Sequence, residues 1–138
     1  MTSSNLDNLV KIGQLKLEAP SQSEFSGLLR SASARLKDAH NKALSIESRF
    51  DLAYNASHAL ALAALRNNGY RSDNRYIVFQ CLEHTLGIKK EVCRVLAHCH
   101  NKRNLAEYEG FLEIDDKLLA NLIGAADLLL EKLKICLV

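Results

Sequence analysis

Hydrophobic residues recur every three or four positions along most of the chain, which is typical of helices that bury one face. The first clear stripe follows Ser21 and Glu24, whose S-x-x-E spacing is that of a capping box, in which each side chain satisfies a free amide at the helix start. Its apolar members are Phe25, Leu28, Leu29, Ala32, Leu36, Ala39 and Ala43. The pattern predicts a helix that runs to about Leu44.

The remaining stripes predict further helices separated by glycines and polar loops. Ser45 is a suitable N-cap for a helix that reaches Asn68, where Gly69 can end it. Residues 59–65 are apolar on every side and rich in alanine, which indicates a central position. Shorter and longer stripes then predict helices that end at Gly87, span about 89–109, and span about 115–135.

This element order predicts an all-α fold, an antiparallel helical bundle of four to five main helices over residues 21–138. Residues 1–20 are polar at the front and reach the single proline, Pro20, so we expect an arm or a short helix there. At 138 residues, with 48% hydrophobic and 25% charged residues, the chain is suited to one core.

Charge and cysteine content narrow the functional classes. A formal net charge of +2 is too balanced for nucleic-acid binding through bulk electrostatics, although a local basic patch stays open. Residues 1–8 are polar and lack the pattern of an export signal, and no apolar stretch is long enough for a bilayer, so we expect an unexported, cytoplasmic protein without membrane contact. Its four cysteines are then expected to be reduced and mostly buried.

An arginine interrupts the apolar row of the predicted helix 89–109. Arg103 stands where a hydrophobic residue is expected, with Glu107 one turn later and Asn104 and Tyr108 as a second pair at four-residue spacing. One interpretation is an internal ion pair with a partly buried stem. The other is a phosphate site, because the guanidinium fork matches phosphate oxygens.

A second polar group lies on the predicted central helix. Asp51, Asn55 and His58 share one face beside Tyr54. They can form a satisfied polar seam between helices. If the seam faces Arg103, Asp51 can hold that arginine or His58 can serve as a base.

The loop after that helix combines arginines with aromatic rings. The group consists of Arg66, Tyr70, Arg71, Arg75 and Tyr76. Stacking together with phosphate contact is how single-stranded nucleic acid is bound, whereas charged loops are also common without a ligand.

Motifs for other chemistry are weak or absent. His98, Cys99 and His100 are consecutive, so on a helix they cannot bind one ion together, and Cys81 with His84 lacks further ligands. No phosphate-binding glycine loop, dinucleotide fingerprint or nucleophile elbow occurs. We therefore predict no metal site and no cofactor.

The eight residues that begin at Arg103, Arg-Asn-Leu-Ala-Glu-Tyr-Glu-Gly, resemble the HEPN superfamily of small helical-bundle proteins. So do the stretches that begin at Arg49 (Arg-Phe-Asp-Leu-Ala-Tyr-Asn-Ala) and at Ala64 (Ala-Leu-Arg-Asn-Asn-Gly-Tyr-Arg). The resemblance covers roughly residues 24–133. In that family an arginine, usually followed by a polar residue, precedes a histidine, and two such motifs meet across a homodimer to form a metal-independent ribonuclease site.

The resemblance implies functional roles for Arg103 and Asn104, but Tyr108 stands where the family has histidine. A tyrosine with a pKa near 10 is poorly suited to moving a proton at neutral pH. We therefore predict a homodimeric module that binds RNA or a nucleotide without efficient catalysis. The family context implies a nucleotidyltransferase-type partner in a toxin–antitoxin or defence system.

Two alternatives differ in class from this prediction. The first is a metal-independent endoribonuclease at the dimer interface, in which His58, or His98 or His100 of a partner subunit, supplies the missing base. The second is a structural adaptor that docks another protein, in which Arg103 serves stability alone.

Overall fold

The central element of the protein is a 22-residue helix that begins at Ile46 and ends at Asn67. Our computed structural model describes residues 4–135. In chain order the elements are α1 (Ser4–Lys11), β1 (Lys16–Leu17), α2 (Gln22–Ala39), α3 (Ile46–Asn67), β2 (Tyr70–Arg71), α4 (Arg75–Gln80), α5 (Leu82–Thr85), α6 (Lys90–Glu109) and α7 (Asp116–Ile135). The predicted all-α helical bundle is confirmed.

Helix α3 is buried almost all round because alanines let its neighbours approach closely. Ala53, Ala56 and Ala63 have no exposed surface, and Leu60 is equally buried. Helices α2, α6 and α7, together with the short α4 and α5, all pack against α3. The run of residues 59–65 therefore occupies the central position that its composition predicts.

Helices α2 and α3 form an antiparallel pair that two polar contacts mark at opposite ends. Arg66 at the end of α3 donates to Glu24 at the start of α2, with Nε and Oε1 2.6 Å apart. At the other end, Arg49 Nε donates to the carbonyl oxygen of Ala39 over 2.8 Å. The connection between the helices is short, which is characteristic of neighbouring antiparallel helices.

The first part of the chain packs on the bundle. The short helix α1 buries Leu6, which is 1% exposed, and Leu15 after it is 3% exposed. β1 then pairs antiparallel with β2, so that Lys16 lies opposite Arg71. Residues 4–20 thus form a short helix followed by a short paired strand.

Helix boundaries follow the capping signals, with two differences from the sequence prediction. Ser21 caps α2, but the helix ends at Ala39 instead of about Leu44. The reason is local, because the Asn41 side chain accepts a hydrogen bond from the amide of Ala43 and offers the backbone an alternative to the helix. The predicted helix before Gly87 is interrupted at Cys81, which separates α4 from α5.

Between residues 4 and 135, no helix is both long enough and apolar enough to cross a membrane.

Cys81 and Cys99 are buried and Cys93 is half-buried, and all three are free thiols. The prediction of mostly buried, reduced cysteines holds for these three, and Cys136 lies outside the described residues.

Candidate functional site

Tyr54 on α3 is the centre of a polar and aromatic cluster between α3, α4 and α6. Its side chain is fully buried, and its ring contacts the Phe79 ring edge-on at a centroid distance of 5.9 Å. Its hydroxyl lies 2.8 Å from Nδ1 of His100 on α6. The cluster therefore joins three helices around one tyrosine.

Two arginines lie against the ring of Tyr54. The Arg103 guanidinium carbon is 4.9 Å from the ring centroid, and that of Arg75 is 5.6 Å away. Both distances are within the range of cation–π attraction. An aromatic face thus compensates part of the cost of bringing two like charges together.

The two guanidinium groups have little negative charge around them. Arg103 Nε donates to Asp51 Oδ1 over 3.3 Å, and the Asp51 side chain is 57% exposed. Arg75 donates to the neutral amide oxygen of Asn55 over 3.3 Å, and no carboxylate of residues 4–135 forms a salt bridge with it. The cluster, which we call the arginine cluster (Asp51, Tyr54, Asn55, His58, Arg75, His100, Arg103 and Asn104), therefore keeps unused capacity for an anion.

His100 is held by two neighbours in the same subunit. Its Nε2 lies 3.1 Å from the Asn104 amide nitrogen, which donates to it, and this leaves Nδ1 as the donor to the Tyr54 hydroxyl. Burial lowers the pKa of His100, and the positive charges of Arg75 and Arg103 lower it further. The imidazole of His100 is therefore neutral beside the two guanidinium groups.

His58 is the second imidazole of the cluster and packs against the Phe79 ring at a centroid distance of 6.0 Å. Burial lowers its pKa to about 4, with further contributions from the charges of Arg75, His100 and Arg103. His58 is therefore neutral at pH 7.

The low pKa of His58 predicts a specific dependence of stability on pH. An unfolded histidine titrates near 6.5, whereas the folded one does so near 4, so protons bind to the unfolded chain first as pH falls. The contribution of His58 is fully present above pH 6.5 and is lost as pH falls toward 4. We expect the free energy of unfolding to fall more steeply in this interval for the wild type than for His58→Gln, by up to about 1.4 kcal/mol per pH unit. Urea denaturation at a series of pH values measures both slopes, and parallel curves would contradict the assignment.

Helix α6 places its polar residues differently from the expected pairs. Arg103 contacts Asp51 on α3, whereas Glu107, the partner that the spacing suggested, is exposed and forms no salt bridge within the described part of the chain. Asn104 bonds to His100 instead of Tyr108, and the Tyr108 side chain is 90% exposed. The reason is that Arg103 extends toward α3, where the face of Tyr54 and Asp51 both attract it.

Arg66 is buried and forms structural contacts, so it is not available to a ligand at the surface. It is 2% exposed, and besides its ion pair with Glu24 it donates to the carbonyl oxygens of Glu18 and Ala19, at 2.9 and 2.7 Å. Arg71 shares the carboxylates of Glu18 and Glu24. Its hydrogen bonds are the main reason that the pKa values of both glutamates are lowered.

Tyr70 belongs to the same structural region as Arg66. It is 1% exposed, and its hydroxyl donates to Asp7 Oδ1 on α1 over 2.6 Å. This bond, with burial, raises the pKa of Tyr70 to about 12. Of the five loop residues proposed for nucleic-acid contact, the structure brings only Arg75 and Tyr76 to the arginine cluster.

The sequence did not point to His100 of the same subunit as part of the site. Its ring stacks on Tyr54 at a centroid distance of 6.3 Å and lies 6.2 Å from the ring of Tyr76. The signal was present, because His100 precedes Arg103 by three residues and Asn104 by four, which places all three on one helix face.

Metal-binding groups are not formed within residues 4–135, where no three His, Cys, Asp or Glu side chains come together around a common point. Cys81 is buried, whereas His84 is exposed and lies near Asn5.

We compared the chain with protein-family models, with curated proteins and with solved structures, and none of the three comparisons gave a significant match.

Proposed function

We propose that this protein is a HEPN-like module that binds the phosphate group of RNA or of a nucleotide at the arginine cluster. The observation that carries the proposal is the pair of guanidinium groups, Arg75 and Arg103, 5.6 and 4.9 Å from the ring centroid of one buried tyrosine, with the exposed Asp51 as their one salt-bridge partner among residues 4–135. A pair of cations held in this way attracts an anion, and planar guanidinium groups match the oxygens of phosphate.

The surroundings of the two arginines suit a nucleotide. Both histidines of the cluster are uncharged near neutral pH, so the charge that attracts an anion there comes from the two arginines. Tyr76 is 39% exposed beside His100 and offers a ring on which a base can stack. Phosphate, base and polar contacts together are the requirements of a single-stranded nucleic acid.

Replacing Arg103 by alanine tests the proposal. We expect the affinity for a short single-stranded RNA to fall about tenfold or more, because a hydrogen bond to a charged group contributes roughly 1.5–3 kcal/mol. The slope of log K against log salt should decrease by about 0.7, as expected when one phosphate contact is lost. Fluorescence anisotropy at several salt concentrations measures both quantities.

The matched control is Arg30→Ala, which removes the same charge from an exposed position of α2. It should leave the affinity and the salt slope unchanged. Equal losses in both variants would mean that RNA responds only to net charge, and unchanged affinity in Arg103→Ala would overturn the proposed site. A thermal melt of each variant distinguishes lost binding from lost folding. If the protein is only a structural adaptor, Arg103→Ala should lower the melting temperature.

A second candidate function is a metal-independent endoribonuclease, and the position of His100 favours it. His100 Nε2, which accepts from Asn104, can take the proton of a 2′-hydroxyl that displaces the Asn104 amide, as that oxygen attacks the adjacent phosphorus and the 5′-oxygen departs with a proton from water. The same RNAs incubated in EDTA would then yield cyclic-phosphate ends, and His100→Asn would lose cleavage while it keeps binding. Binding by the wild type without cleavage at high protein concentration would eliminate this candidate.

The assembly and biological setting follow from the resemblance and remain part of the proposal. We propose a homodimer, and Leu105, Tyr108 and Phe111, which are 51%, 90% and 61% exposed, are apolar surface near the end of α6 that a second copy can cover. Sedimentation measurements test this, since a strictly monomeric protein would contradict it. A nucleotidyltransferase-type partner, a role in a toxin–antitoxin or defence system, and a cytoplasmic location belong to the same proposal.

A further inference from the structure

A groove between α4–α5 and α6 adjoins the arginine cluster. It has a volume of about 250 Å³, and its walls include Tyr76 and Glu83 on one side and Lys90, Cys93 and Arg94 on the other. This is below the roughly 300–1,000 Å³ of pockets that enclose drug-sized ligands, so it suits a smaller group such as one nucleobase.

Tyr76 connects the groove to the arginine cluster. Its ring lines the groove and also lies 6.2 Å from the ring of His100. On α6, Ala97 lines the groove one turn before His100. The groove is therefore a continuation of the proposed phosphate site along the same helix.

The groove carries positive charge that no ion pair neutralises. Across the described residues, neither Lys90 nor Arg94 forms a salt bridge, and Glu83 is the single acidic group among the lining side chains. Arg94 precedes Arg103 by nine residues, or two and a half turns, so the two lie about 14 Å apart along the axis of α6 and on opposite sides of that helix, with Ala97 and His100 at the steps between them. One mononucleotide cannot place its phosphate at both arginines, whereas a strand with several phosphates can.

We propose that the ligand of this site is a single-stranded oligonucleotide and not a mononucleotide, with one base on Tyr76 in the groove and the following phosphate at Arg94. The inference rests on the proposed function, because it extends the strand away from the phosphate held by Arg75 and Arg103. Stacking on an aromatic ring between basic side chains tolerates different bases, so recognition along the groove depends on the length of the strand more than on its sequence.

Binding titrations with adenosine monophosphate and with a mixed-sequence single-stranded RNA octamer test the inference. For the octamer, Arg94→Ala should lower the affinity about fivefold to tenfold and reduce the salt slope by about 0.7. The affinity of Arg94→Ala for adenosine monophosphate should equal that of the wild type. Glu83→Gln should strengthen octamer binding because it removes the negative charge from the groove. Arg30→Ala should leave the affinities for both ligands unchanged.

Cys93 provides an independent measure of occupancy because its half-buried thiol lines the groove. Alkylation of this cysteine, followed by mass spectrometry of its peptide, should slow clearly in the presence of the octamer and much less with adenosine monophosphate, whose base can reach Tyr76 but which places no phosphate at Arg94. Cys81 and Cys99 serve as internal references, since burial raises their pKa values to about 11 and about 12.

The outcomes separate the inference from the function on which it rests. If the octamer binds in an Arg103-dependent manner but Arg94→Ala has no effect and Cys93 is not protected, the groove is not used and only the inference fails. If neither ligand binds the wild type, the proposed function itself fails. Protection of Cys93 by adenosine monophosphate as strong as that by the octamer would also overturn the inference.

Discussion

Replacing Arg66 by alanine is expected to lower the free energy of unfolding by about 3 kcal/mol or more. The guanidinium is 2% exposed and bonds to the carboxylate of Glu24 and to the carbonyl oxygens of Glu18 and Ala19. Alanine would take the Arg66 donor from both carbonyl oxygens, would leave Glu24 with Arg71 alone, and would open a cavity at the end of α3.

Arg71→Ala is the matched control for Arg66→Ala, because Arg71 contacts the same two glutamates with a side chain that is 28% exposed. Solvent weakens ion pairs at such positions, so we expect a loss of about 1 kcal/mol or less. Urea denaturation at neutral pH gives both values, provided that the dependence on denaturant concentration is similar in the variants. Equal losses would show that the buried guanidinium contributes no more than the half-exposed one.

The double variant Arg75→Ala/Arg103→Ala is expected to reduce the affinity for single-stranded RNA about 100-fold or more. Each guanidinium can contribute roughly 1.5–3 kcal/mol through charge-assisted hydrogen bonds, and 1.4 kcal/mol corresponds to a factor of ten. Because both arginines contact the same tyrosine ring, their effects should deviate from additivity if they hold one phosphate. Titrations of both single variants and of the double variant measure this coupling.

Folding of the double variant should be largely preserved, because removing two neighbouring positive charges also removes their mutual repulsion. The pKa values of His58 and His100 should rise, since the charges of both arginines contribute to lowering them. Nuclear magnetic resonance titration of the two imidazoles measures this shift. Arg30→Ala/Arg35→Ala removes two exposed arginines from α2 and is the matched control. An RNA affinity reduced equally by both double variants would exclude a specific role of the arginine cluster.

The order and type of the long helices could be predicted because their determinants lie within a few residues. The Ser21 side chain accepts a hydrogen bond from the amide of Glu24, as the capping spacing indicates. Gly69 and Gly110 follow the ends of α3 and α6 with φ values of 91° and 80°, which glycine adopts without strain. The alanine-rich middle of α3 likewise predicted the burial that the structure shows.

Side-chain partners were less predictable because they depend on which helices become neighbours. The Glu24 carboxylate, expected to complete the capping box, bonds to Arg66, which is 42 residues away in the chain. The sequence groups Arg66 with the charged and aromatic residues of the loop after α3. In the structure it is buried, because residues before α2 cover it. Local spacing contains no information about such a partner.

The sequence by itself determined the all-α class, the approximate helix boundaries and the placement of Asp51, Asn55 and His58 on one helix face beside Tyr54. That this face meets Arg103 was decided by the tertiary structure. Only the tertiary structure decided that His100 and Arg75 join them and that Glu107 and Tyr108 do not. Helix formation depends on hydrogen bonds and caps between residues close in sequence. A site depends on how helices are rotated against one another, and this rotation follows from the packing of the whole core.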